Sequence, residues 1–240
     1  RDANAVKDYM KVMDDARAMM DSPVKNAFNF RADESEETLK AYDVGHRFGW
    51  SCLLARRLVE TGARYVEVEY QYAPFKGFDM HEDGQKRMAD MKAHIDRPIG
   101  RLIKDLDERG LLERTLVVIG TEFGRTVADK PSAGQEAEGF TEKSTGEDLA
   151  IENEKMFGFH GHFSSCNCMM FFGGGIKGGA IHGKTAERHP MLPTEGAAKL
   201  IDAYATIYHL LGVDPHTEIR DRLNRPLTLC EGRVIEGVLA

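Results

Sequence analysis

The residues best suited to chemistry in this chain fall into three short clusters. Asp79 and His81 are two apart in the run FDMH, Glu122 and Arg125 are three apart in GTEFGR, and His160 and His162 lie in FHGHF. A turn can aim both Asp79 and His81 at one cation. Carboxylate plus imidazole suits Zn²⁺, and also Mn²⁺ or Fe²⁺. Two ligands are too few, so Glu122 is a natural third or bridging ligand and His162 a fourth. Arg125 offers a planar fork that fits two oxygens of a phosphate or sulfate. Each cluster also has a plainer reading. Asp-x-His is a common turn-former beside a hydrogen-bonded histidine, Glu122 and Arg125 can pair with each other, and His160 and His162 can flank a loop. Convergence on one place separates the two readings.

That convergence depends on the surrounding elements. Each of the first two clusters follows an apolar run that reads as a strand, residues 64–70 (RYVEVEY) and 115–120 (TLVVIG). A helical stretch over 81–109 joins them, with Met88, Met91, Ile95, Ile99, Leu102, Ile103 and Leu106 on one stripe and Pro98 as a kink. This β-α-β pattern predicts parallel strands with a right-handed crossover. Both clusters then lie at the carboxyl edge of the sheet, where open α/β sheets bind ligands. Residues 115–120 are continuously apolar, as in a strand covered on both faces. For His162 to reach the same edge, the strand at 168–172 must run antiparallel to the other two.

Beyond these runs, residues 4–20 place Val6, Met10, Met13 and Met20 at roughly helical spacing, and a second helix is expected near 35–61. Residues 195–211 carry Leu200, Ile201, Tyr204, Ile207, Tyr208 and Leu211 on a broad apolar face. Residues 127–158 hold eight acidic and three basic residues and read as a solvated insertion whose ends flank the candidate site. The glycine-rich run 173–179 (GGGIKGG) lacks the Gly-Lys-Ser/Thr order of a phosphate loop and reads as a strand end.

Composition narrows the class. The 240 residues are 42% hydrophobic and 30% charged, ordinary for a globular protein with a sizeable core. A net charge of −7 with no Lys/Arg cluster argues against a nucleic-acid partner. No apolar run is long enough to span a bilayer, and no signal peptide is visible. The chain opens at Arg1, so an upstream segment is expected. Cys52, Cys166, Cys168 and Cys230 are too few for a disulfide scaffold and read as free thiols.

Residues 48–68, 78–81, 105–125, 173–179 and 205–220 together resemble the C-terminal half of a bacterial family, domain-of-unknown-function family fifteen-oh-one. That family is placed in the alkaline-phosphatase/sulfatase superfamily. The resemblance implies a three-layer α/β/α sandwich with a mixed, mostly parallel sheet, of which residues 1–240 form the C-terminal part of a single domain. It implies a metal-dependent phosphate- or sulfate-ester hydrolase, with zinc first and calcium or manganese as alternatives. It also implies a periplasmic or secreted location. Carried over, Asp79 and His81 bind one metal, Glu122 serves a companion metal, and His162 matches the histidine of the family's Gly-Arg-Asp-His-Trp. Arg125 is the catalytic candidate.

The chain departs from the pattern at several points. Phe78 and Met80 stand where the family has Trp and Thr, His160-Gly161 stands for Arg-Asp, and Glu122-Phe123 stands where phosphatases have Asp-His. The superfamily's nucleophile and first metal ligand are expected upstream of this chain. The alternative reading is a catalytically silent relative serving as a binding or assembly subunit, in a homo-oligomer or larger assembly.

Overall fold

The computed structural model describes residues 2–70, 77–80, 84–125, 161–187 and 192–240. His81, His160 and the acidic stretch 127–158 lie outside them. The chain divides into two compact units, Arg1–Gly77 with Met88–Arg109, and Phe78–Arg87 with Gly110–Ala240.

The first unit is helical. Helix α1 (Asp2–Asp21) is rich in Ala and Met, has no internal Gly or Pro, and stops where Ser22 caps the short turn that begins at Pro23. Two short helices follow, α2 (Phe30–Asp33) and α3 (Glu36–Ala41). Ser35 accepts the Thr38 amide at the start of α3, and Glu36 and Glu37 suit the positive end of its dipole. Helix α4 (Arg47–Glu60) starts at His46, whose Nδ1 accepts the Phe48 amide at 3.3 Å. Gly49 lets α4 press on the preceding turn, since a Cβ there would lie 2.1 Å from the Tyr42 carbonyl oxygen. Helix α5 (Gly84–Glu108) covers the expected crossover, with Pro98 inside it.

Tyr42, Cys52 and Leu53 form the core of this unit, packed by Phe30, Leu39, Val44, Phe48, Val68 and Leu102. Beside it lies a buried charge network. The Arg56 side chain is 2% exposed and meets Glu34, Glu60 at 3.0 Å and Asp105 at 3.6 Å. Asp105 also accepts the Tyr42 hydroxyl at 2.9 Å. Burial, and then the Asp105 carboxylate, push the Tyr42 phenol well above its usual range.

Residues 64–70 form neither helix nor strand, and no strand pairs with them among the described residues. Val66, Val68 and Tyr70 are half-buried while Tyr65, Glu67 and Glu69 are exposed. That is the two-residue period of a strand with one covered face. Side-chain alternation is therefore present, and the ladder that would make the run a strand is missing among the described residues.

The second unit is built on antiparallel pairs. Strand β1 (Val117–Ile119) pairs with β4 (Met170–Phe172), Val118 opposite Phe171. The run at 168–172 is thus antiparallel to 115–120, as the delivery of His162 requires. Strand β2 (Gly124–Arg125) pairs with β3 (His162–Phe163), β5 (Lys184–Thr185) with β6 (Pro193–Glu195), and β7 (Glu218–Arg220) with β8 (Pro226–Thr228). The expected parallel pair, 64–70 beside 115–120, is not among the described ladders. Nor is β1 covered on both faces, because Val118 and, on its partner, Met170 are exposed.

After β4 the chain turns through Gly173, Gly174 and Gly175, all at positive φ. A Cβ on Gly173 would sit 2.3 Å from the Leu112 carbonyl oxygen, so the turn presses on the chain entering β1. On helix α6 (Leu200–Leu210) the small residues Ala203, Ala205 and Thr206 are buried, Ile207 and Tyr208 of the expected face are half-buried, and Leu200, Ile201 and Tyr204 are exposed. The C-terminal tail runs along α6. The Arg233 amide donates to Asp202 Oδ1 at 2.8 Å, and the Ile235 amide to Thr206 Oγ1 at 3.0 Å.

Candidate functional site

Short-range pairing delivers the polar groups. In the β2–β3 ladder Arg125 stands directly opposite His162, and Gly124 opposite Phe163. Directly opposed side chains are neighbours on one face. The Gly124 amide donates to the Cys166 carbonyl at 3.1 Å, which ties β2 to the chain after β3. Asp79 follows a turn that begins at Gly77, where φ is +57°. The next side chain, Met80, is buried and anchors this short run.

Asp79 is the hub. Its Oδ1 accepts Arg125 Nη2 at 2.8 Å and lies 3.6 Å from His162 Nε2. Arg125 Nη2 also donates to the Phe78 carbonyl at 3.3 Å. The Phe123 ring packs on the His162 ring with centroids 4.3 Å apart, and the Arg125 guanidinium carbon lies 5.5 Å from the same phenyl centroid. Phe123 is therefore a wall for both Arg125 and His162, the two neighbours of Asp79. Asp79 and Arg125 are mostly shielded, with side chains 16% and 19% exposed, while His162 is half open at 50%. The cluster is therefore open to solvent at the imidazole of His162.

Asp79, Arg125 and His162 thus meet. Glu122 is exposed and is not joined to them, and among the described residues no three carboxylate, imidazole or thiol side chains converge on one metal position. His81 lies outside the described residues, so a ligand set containing it is not shown. The Asp79–His162 spacing itself suits a shared metal. Two ligands each about 2 Å from a tetrahedral zinc stand roughly 3.3 Å apart, close to the 3.6 Å observed. An Asp–Arg pair with a histidine beside it is also a stable ionic cluster without any metal.

The residues that sequence reading missed are those that hold the others. Phe123 carried no chemical signal beyond lying between Glu122 and Arg125. The Phe78 carbonyl and the Thr121–Asn167 contact are invisible in a side-chain inventory. Asn167 Oδ1 accepts both the Thr121 hydroxyl at 3.0 Å and the Cys168 amide at 2.8 Å, pinning the chain beside Glu122 to that before β4.

The family model described as "Protein of unknown function (DUF1501)" matches residues 1–239, and the chain belongs to that family. No curated protein and no solved structure matches it.

Proposed function

We propose that this family member is the C-terminal part of an alkaline-phosphatase/sulfatase-superfamily protein that hydrolyses or transfers phosphate or sulfate esters with a bound divalent metal, zinc first. The observation that carries this reading is the meeting of Arg125 and His162 at Asp79, whose Oδ1 lies 2.8 Å from the guanidinium and 3.6 Å from the imidazole. Asp79 and His162 would hold the metal, His81 would add to them, and Glu122 would serve a companion metal. When bound, the metal would stabilise charge on the transferred group. Arg125 would grip two oxygens of the ester anion, backed by the Phe78 carbonyl and the Phe123 face. The nucleophile in this reading comes from sequence upstream. The three-layer sandwich belongs to the same proposal, and the strand-like alternation along 64–70 supports it. The periplasmic or secreted location rests on the resemblance.

Elemental analysis tests this directly. The full chain, purified without chelator, is expected to carry metal near one equivalent, and D79N and H162A are expected to lose it. Metal-free wild type, or metal retained in both variants, would remove the site reading.

A second reading, an assembly subunit, is favoured by helix α1. Every residue from Asn4 to Asp21 is exposed, including Tyr9, Met10, Met13 and Met20, the last at 70%. Apolar surface on this scale commonly marks an interaction site. If the reading holds, the wild type is larger than a monomer in solution and M13E/M20E returns it to monomer mass. A monomeric wild type counts against it.

A further inference from the structure

Helix α1 is amphipathic, yet both of its faces meet water. Every residue from Asn4 to Asp21 is exposed. A single helix in water gains little beyond its own hydrogen bonds, and most helical stability in proteins comes from covering an apolar face. In α1 that face is laid out as a seam. Val6, Tyr9, Met13, Ala16 and Met20 recur at alternating steps of three and four, which are the a and d positions of a heptad repeat. Lys7, Asp8, Lys11, Asp14 and Asp15 fall on the opposite side of the helix, and Arg17 is the one charged residue beside the seam.

A heptad seam supplies both the knobs and the holes that receive them, so it fits a second copy of itself about a two-fold axis. The polar face mixes acids with bases and lacks the basic character of a helix that lies on an anionic lipid surface. Each copy exposes seven large apolar side chains on this helix. Pairing two copies takes on the order of 1,000 Å² of apolar surface out of water, the size from which a contact is specific.

We propose that α1 pairs antiparallel with α1 of a second copy as a two-helix coiled coil centred on Lys11, with Val6 opposite Ala16 and Tyr9 opposite Met13. This inference rests on the assembly reading given above and names its partner and register. The layers explain the direction. Tyr9 and Met13 fill the two central layers, and the smaller Val6 and Ala16 close each end. The flanking residues then meet like with like, Met10 facing Met10 and Val12 facing Val12 across the axis. Parallel pairing would set Arg17 of one copy beside Val12 of the other. Antiparallel pairing also places each positive helix end beside a negative one.

Sedimentation of the full chain tests this. Wild type is expected at twice the chain mass. Y9K alone and M13E alone are each expected at the chain mass, because each puts an unpaired charge into both central layers. An equimolar mixture of Y9K and M13E should return to the doubled mass. Antiparallel pairing sets the new lysine against the new glutamate in one layer and leaves Tyr9 against Met13 in the other. A mixture that stays at the chain mass would overturn the proposal, since parallel pairing never brings the two positions together. Doubled mass kept by Y9K and M13E alone would place the contact on another surface, overturning the coiled coil while leaving the assembly reading standing. Monomeric wild type would overturn both. Should either variant not fold, V6E with A16K tests the neighbouring layer in the same way, and a mixture of these two that stays at the chain mass would equally sink the pairing.

Discussion

Arg56 is the most constrained side chain in the first unit. Its charge is matched by three carboxylates, and each of these has a second cation. Glu34 meets Arg57 at 2.6 Å, Glu60 meets Arg109 at 2.8 Å, and Asp105 meets Arg101 at 2.7 Å. Burial alone would raise the Glu34 pKa, but its hydrogen bonds to Arg57 and Arg56 outweigh that and hold the carboxyl below its ordinary 4.5. A depressed carboxyl contributes stability above its unfolded value and loses it as pH falls through the folded one. R56A should therefore lower unfolding stability by about 3 kcal/mol or more, because three carboxylates each lose one of their two cations and a cavity opens. Urea unfolding at pH 7 measures this. A loss under about 1 kcal/mol, the scale of a surface pair, would mean the network is not what holds this unit.

At the scale of elements, histidines join three segments. The His46 ring, at the start of α4, stacks on His94 of α5 with centroids 4.1 Å apart and planes 12° apart. His94 Nδ1 lies 3.2 Å from the Tyr70 hydroxyl at the end of the 64–70 run. Burial, then the neighbouring His94, lower the His46 pKa from 6.5, and Asp43 opposes them only in part. Folding thus favours the neutral ring, while the unfolded chain takes up a proton below 6.5. The contribution is whole above that pH and drains away as pH falls from about 6.5 through the folded value. A proton on Nδ1 would also remove the acceptor that caps Phe48. Urea midpoints measured from pH 7.5 to 5.5 should fall, and H94Q should flatten the slope by removing the like-charge neighbour. A slope unchanged in H94Q would mean that the stack does not set the titration.

The capping of α6 offers an independent check in the second unit. Asp202 accepts the Arg233 and Lys199 amides, and these backbone bonds hold its carboxyl below 3.8. D202A removes a cap worth about 1 kcal/mol and unties the tail as well. Faster amide exchange in both α6 and residues 233–235 is expected. Exchange altered in only one of the two would separate capping from tail docking.

Among the described residues, apolar helix surface is exposed along α1 and along Leu200, Ile201 and Tyr204 of α6. No helix of the described residues is long and apolar enough to cross a membrane. The acidic stretch 127–158 begins two residues after Arg125 and ends four before His162, so both of its anchors reach the candidate site through the chain itself. We expect it to restrict access by bulky or anionic substrates through like-charge repulsion, or to form a protein contact. Deleting residues 130–155 should change ester turnover in the first case and solution mass in the second. If both stay the same, the stretch has neither role.

By itself the sequence determined local order and chemical inventory. Periodicity placed α4, α5 and α6, because a helix closes its hydrogen bonds within about four residues. The types and spacing of Asp79, Arg125 and His162 were enough to name them together. Tertiary structure alone decided what required partners distant in the chain. The register that sets Arg125 opposite His162 spans the whole acidic insertion. On α6 the buried positions are the small Ala203, Ala205 and Thr206, while Leu200, Ile201 and Tyr204 stay exposed, an outcome that depends on what packs against the helix and not on its own spacing. Residues 64–70 have the alternation of a strand, but a strand is defined by a neighbour's hydrogen bonds, and no periodicity within one segment can supply that neighbour.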